Sequence, residues 1–178
     1  MSLLATISEQ AAFGFSGRIN ILLKSNNQLL GVVFQYEGKV IGALAGQQKG
    51  KKALFYLIFH DVDSIDKYRL VVEPEIIGPS SFMFEMGFDE IKLNAEKQFP
   101  EFLKAKKLRP PDHLILIIDP EIILNSHEVS ADEFSILTTL TEFSKVREVY
   151  QFSKLLEFEV TNALVLLRKK RAIKVVNI

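Results

Sequence analysis

The stretch from Ser16 to Glu75 constrains the fold more than any other part of the chain, because its apolar residues change spacing in a fixed order. Ile19, Ile21 and Leu23 alternate with Arg18, Asn20 and Leu22, and a polar turn at Ser25-Asn26-Asn27-Gln28 follows. A second alternation then places Leu30, Val32, Phe34 and Tyr36 on a common face. Glu37-Gly38 is a hairpin signal, since glycine supplies the positive φ of a two-residue loop, and it leads into a third strand over Lys39 to Leu44. From Gly50 to about Val62 the spacing of Leu54, Leu57 and Ile58 becomes helical. Asp61 to Asp66 breaks that run before Tyr68, Leu70 and Val72 alternate again. The segment therefore reads as three antiparallel strands, a helix and a return strand, with a short helix before it. Ser2 caps that helix, Leu4, Ile7 and Ala11 share a face, and Gly14 stops it.

Downstream, Pro74, Gly78 and Pro79 punctuate the end of the sheet unit, and Ser80-Ser81 offers an N-cap for a long helix. Phe84, Phe88, Ile91, Ala95 and Phe99 or Phe102 form its apolar stripe, and Pro100 is expected to end or kink it near Gln98. Arg109-Pro110-Pro111-Asp112 is the strongest linker signal, because consecutive prolines favour an extended path. Leu114 to Ile118 reads as a buried strand closed by Asp119-Pro120. Three helical patterns follow, Ala131 to Phe143 after the Ser130 cap, Lys145 to Phe152, and Ser153 to about Lys170, and then an extended Ala172 to Val176. In the third pattern Leu156, Val160, Leu164 and Leu167 form the buried stripe. Three helices and a strand is the order of a winged-helix module. The expected class is α+β: an antiparallel sheet with helices on one face (1-78), a long connecting helix and Pro-rich linker (79-111), and a winged-helix-like helical module (112-178).

The 178 residues carry 22 basic and 22 acidic side chains, so no net field draws the chain toward phosphates. With no cysteine there is no disulfide, thiolate chemistry or Cys-ligated zinc. MSLLATISEQAAFG has no basic n-region and no long apolar run, which predicts neither a secretory signal nor membrane insertion and points to the cytoplasm.

With the elements placed, the chain resembles the PATAN family, the N-terminal module of PatA-type bacterial response regulators that also occurs in stand-alone signalling proteins. The residues carrying this are Ser16-Gly17-x-Ile19-x-Ile21, Gly31-Val32-Val33-Phe34, Gly38-Lys39-Val40-Ile41-Gly42-Ala43, and Gly46-x3-Gly50-x2-Ala53-Leu54-x2-Leu57. The resemblance extends through the long helix near Asp89-Glu90 into the helical C-terminal segment. It implies an adaptor in signal transduction, motility or phototaxis with no catalytic residues to carry over. The chain has no receiver domain, so no phosphoacceptor Asp follows.

Several motifs imitate chemistry. Ala45-Gly46-Gln47-Gln48-Lys49-Gly50-Lys51-Lys52 has the look of a phosphate-binding loop, but Lys52 stands where a Mg²⁺-holding hydroxyl belongs and the preceding strand is antiparallel. Asp61, Asp63 and Asp66 lack the central Gly and distal Glu of an EF-hand. His60, His113 and His127 fall in separate elements with no i, i+4 partner. Arg168-Lys169-Lys170-Arg171 lies at the end of the third helix, whereas base contacts come from a recognition helix's start, here occupied by Glu157 and Glu159. Phe82, Met83, Phe84 and Met86 cannot share one side of a helix and call for a covering layer, between the two modules first, or else a homodimer or a partner groove. The expectation is a non-enzymatic adaptor that binds another protein, with no catalytic, cofactor or metal residue. A winged-helix DNA-binding regulator and a small-ligand or nucleotide sensor are the competing classes.

Overall fold

The computed structural model describes residues 2–64, 66–120 and 128–176. The chain divides into two compact units, residues 1–99 and 100–178. Among the described residues the architecture is mixed α+β, with a five-stranded antiparallel sheet in the first unit.

The first unit comprises α1 (Leu3–Ala12), β1 (Gly17–Leu23), β2 (Leu29–Tyr36), β3 (Lys39–Ala45), the two-residue β4 (Gln48–Lys49), α2 (Gly50–Asp63) and β5 (Tyr68–Pro74). Sheet order is β4-β3-β2-β1-β5. The first three strands form a meander, and α2 carries the chain from one edge of the sheet to the other. Its 14 residues rise about 21 Å, which matches the roughly 19 Å across four inter-strand spacings. Glu37 (φ 49°) and Gly38 (φ 79°) close the β2–β3 loop, as the sequence predicts for a hairpin with two positive φ values.

Alternation sorts the sheet into two faces. Ile19, Ile21, Gly31, Val33, Gln35 and Ala43 are buried on one of them. Both helices cover that face. A Cβ on Gly31 would lie 2.8 Å from Leu57 of α2, and buried Gln35 donates to the carbonyl of Ile7 in α1 and to that of Gly38, each at 3.3 Å. In α1, Ser2 caps as expected, accepting from Ala5 N–H, but the buried residues are Leu3, Thr6 and Ile7; Leu4 and Ala11 are not fully buried. Rings of Phe55, Phe59 and Phe99 follow one another at 5.8 and 6.0 Å, joining α2 to the middle of the long helix.

That helix, α3 (Phe88–Lys106), departs from the sequence expectation at its start and in its middle. Ser80-Ser81 sits in a single 3₁₀ turn, Pro79–Ser81, and does not cap α3. Residues 83–86 bend alongside β3: Met83 and Phe84 both donate to Ile41 C=O, and Met86 exchanges hydrogen bonds with Val40. Of the cluster Phe82, Met83, Phe84, Met86, only Met86 is fully covered within the first unit, at 2% exposed; Met83 and Phe84 are half-buried, and Phe82 lies edge-on to the Tyr36 ring at 5.4 Å and stays 48% exposed. Pro100 does not end the helix, which continues to Lys106. The division between the units instead falls beside it, after Phe99.

In the second unit, β6 (Ile115–Ile118) pairs antiparallel with β7 (Ile173–Val176), and α4 (Ala131–Glu142), α5 (Val146–Phe152) and α6 (Glu157–Lys169) lie between them in sequence. On its other side β6 hydrogen-bonds the stretch 144–146 between α4 and α5. Ile136, Val146, Val149, Val160 and Leu167, all 0% exposed, centre the core. Ser130 and Glu133 form a reciprocal capping box on α4. Helix α6 starts at Glu157, four residues later than Ser153, and Leu156 is its N-cap in place of a stripe residue.

Candidate functional site

The second face of the sheet is built by the residues that alternate with the core. Leu22, Leu30, Val32, Phe34, Leu44 and Val71 are half-buried on it. Cross-strand register arranges them in rows, Val71-Asn20-Val32-Leu44 and Glu73-Arg18-Phe34-Gly42. The apolar strip ends in a polar cluster, where Arg18 Nε and Asn20 Nδ2 each donate to Glu73 Oε2 at 2.8 Å and Glu75 stands 3.5 Å from Arg18. The hydrogen bond from Arg18, then that from Asn20, hold the Glu73 carboxyl below its ordinary range. Leu30, Val32, Phe34 and Tyr36 do share a face, as their spacing predicts, and it is this one, not the helix-covered core face.

The two edges of the sheet differ. The edge at β3 is shielded by the chain itself, through β4 at Leu44–Ala45 and through Met83 to Met86 at Val40–Ile41. Among the described residues no strand pairs with the outer edge of β5, which is seven residues long. Lys24 N–H donates to Lys67 C=O and Glu75 N–H to Ser16 C=O, so the odd-numbered residues of β5 bond inward to β1. The N–H and C=O groups of Tyr68, Leu70 and Val72, with the carbonyl of Pro74, face outward. Pro74, lacking an N–H, has its empty position on that outer edge, as sheet prolines do.

The motifs that imitate chemistry resolve into structure. Gln48 and Lys49 of the loop resembling a phosphate site pair with Ala45 and Leu44, leaving Gly46-Gln47 as a two-residue hairpin loop. Asp61 accepts the Leu3 N–H at 2.6 Å and Asp66 pairs with Lys24 at 3.4 Å, so these carboxylates serve different neighbours. Burial pushes the Asp61 carboxyl up, against the lowering effect of the Leu3 bond. His60 lies against the Tyr56 ring, with centroids 4.3 Å apart, and His113 is exposed in the turn before β6. His127 lies outside the described residues. Among the described residues no three His, Asp or Glu side chains converge as metal ligands.

The Arg109-Pro110-Pro111-Asp112 segment, read from sequence as a linker, belongs to the second unit, and Arg109 is anchored in it. Arg109 pairs with Asp112 at 2.9 Å and with Glu157, and its guanidinium lies 3.9 Å over the Tyr150 ring. Burial opposes the Arg109 charge, but Asp112 and Glu157 outweigh it and raise its pKa. The Tyr150 hydroxyl, 2.6 Å from Thr161 Oγ1, is pushed up to about 12 by burial. Glu159 accepts the Leu156 N–H at 2.7 Å, so both acidic residues at the start of α6 are held by the unit's own groups. From the basic run at the other end, Lys170 reaches buried Glu133 at 2.8 Å. Burial opposes the Glu133 charge, yet Lys170 and the Ser130 N–H keep its carboxyl below the ordinary range. Sequence reasoning missed the open β5 edge, since a strand's neighbours are not legible from its own pattern.

No protein-family model, curated protein or solved structure matches the chain. No helix among the described residues is long and apolar enough to cross a membrane.

Proposed function

We propose that the chain is a non-enzymatic bacterial signalling adaptor of the PATAN kind, acting in the cytoplasm by binding another protein in a motility or two-component pathway. The observation that carries this reading is the half-buried apolar second face of the sheet, bordered by the Arg18-Asn20-Glu73 cluster. The residues of the family resemblance build the scaffold behind it. Gly31 admits Leu57 of α2, Gly38 turns the hairpin, and Ala53 and Leu54 are fully buried in α2. The ionisable groups with displaced pKa values add support, because each is engaged within its own unit, by an ion pair, a cap or a hydrogen bond.

The order α4, α5, α6, β7, with the stretch 144–146 bonded to β6 between the first two helices, favours a winged-helix-like second unit. A DNA-binding use of it is the second reading. It is the weaker one, because α6 contributes Val160, Ala163, Leu164 and Leu167 to the core and begins with two engaged carboxylates.

Affinity capture from the native cell tests the proposal. Wild-type chain should retain a protein that Val32→Lys and Leu44→Lys both lose while their circular dichroism is unchanged. Capture indifferent to both variants, or sequence-selective retardation of duplex DNA at physiological salt, would contradict it.

A further inference from the structure

We propose that two copies of this chain associate through the outer edges of their β5 strands, antiparallel about a two-fold axis at Val71, so that their sheets become continuous. The inference does not depend on the signalling reading. The sheet is asymmetric: one edge is closed by β4 and residues 83–86, and the other presents backbone groups of Tyr68, Leu70 and Val72 that have no partner among the described residues. An open edge of this length is a template for another strand.

The sequence of β5, Tyr68-Arg69-Leu70-Val71-Val72-Glu73-Pro74, identifies the occupant as a second copy. Inward bonding by odd-numbered residues leaves even-numbered ones to pair across the new junction. Full overlap of two such strands sets residue 70 against residue 72 of the other copy, and 69 against 73. On the second face this places Arg69 opposite Glu73 twice, flanking a central Val71–Val71 contact. Opposite charges directly across an antiparallel pair are favourable, and like charges are not. On the helix-covered face Leu70 meets Val72, so the apolar layer continues across the axis. The outward N–H and C=O of Leu70 and Val72 are all taken up, and Tyr68 N–H meets the Pro74 carbonyl, so the missing proline donor falls at the ends of the ladder. Arg69 is exposed and forms no ion pair among the described residues, which leaves its charge available. Shifting by one pairing step sets Arg69 against Val71 in one direction and Glu73 against Val71 in the other, and either shift shortens the overlap of the two strands. The charges that deter other strands at this edge therefore favour this one, and the length of the ladder favours the full-overlap register.

The absence of cysteine makes the register directly testable. A Val71–Val71 contact is a non-hydrogen-bonded pair with Cα atoms about 4.5 Å apart, within disulfide reach. Two copies of residue 69 would lie about 13 Å apart along the strands, beyond it. Full-length Val71→Cys should therefore form an intermolecular disulfide under mild oxidation at micromolar protein, and Arg69→Cys should not. Light scattering should give wild-type chain twice its 20.2 kDa mass, and Arg69→Glu, which sets two like-charge pairs across the axis, should weaken the dimer at least about tenfold. A wild-type monomer at 100 μM (about 2 mg/mL), or Arg69→Cys crosslinking as readily as Val71→Cys, would overturn the proposal. A β5 edge reserved for a strand from a different protein would give the first of these results.

Discussion

Gln35 shows how one polar residue holds three elements in place. It is fully buried, in β2, and its amide bridges the carbonyl of Ile7 in α1 and that of Gly38 in the hairpin turn. Its spacing with Gly31 and Val33 makes its face legible, but not its partners, which come from distant parts of the chain. Asp61 presents the same lesson with a charge. From sequence it belongs to an acidic turn, yet its carboxylate reaches back to the first helix. Because burial raises its folded pKa above the unfolded value, the folded state binds the proton more tightly. The contribution of Asp61 is thus most favourable in acid and declines as pH rises through the folded pKa. Asp61→Asn keeps an acceptor for Leu3 N–H and removes that decline. Thermal unfolding should show the variant more stable than wild type at pH 7, by no more than about 2–4 °C, with the difference closing toward pH 3. An advantage that grows in acid would contradict this sign.

At the scale of elements, the sheet unit was readable because its signals are local: alternation for β1, β2, β3 and β5, a Gly-containing turn, and helical spacing in α2. The failures share a cause. Ser80-Ser81 has cap chemistry but is held by backbone bonds from 83–86 to β3, which no local pattern reports. Pro110-Pro111 has linker chemistry, but neighbouring Arg109 is fixed by Asp112, Glu157 and Tyr150, one near in sequence and two remote. Pro100 lacks the N–H its helical position would use, yet the helix continues through Phe102 and Ala105, both buried. The packing of that last stretch offsets the local cost, which for proline inside a helix is about 3 kcal/mol relative to alanine. Part of this is returned by the unfolded chain's restriction at proline. Pro100→Ala should therefore stabilise the full chain by about 1–2 kcal/mol in urea denaturation. Destabilisation would mean that the proline shapes the helix in a way the packing requires.

For the whole molecule, the two units use their ionisable groups differently. In the second unit Arg109, Glu133, Tyr150 and Lys170 tie its own elements together, and in the first the Arg18-Asn20-Glu73 cluster sits on an accessible sheet face. The function proposed here rests on that face. The alternation of β1 and β2 made it legible as a face, while its standing opposite the helices required the structure. Backbone hydrogen exchange of the full chain, with and without the captured partner, tests the claim most directly. Slowed exchange is expected over β1, β2, β3 and β5, with α4 to α6 unchanged. Protection centred on α6 or on Lys49–Lys52 at the start of α2, with the rest of the sheet unaffected, would contradict it.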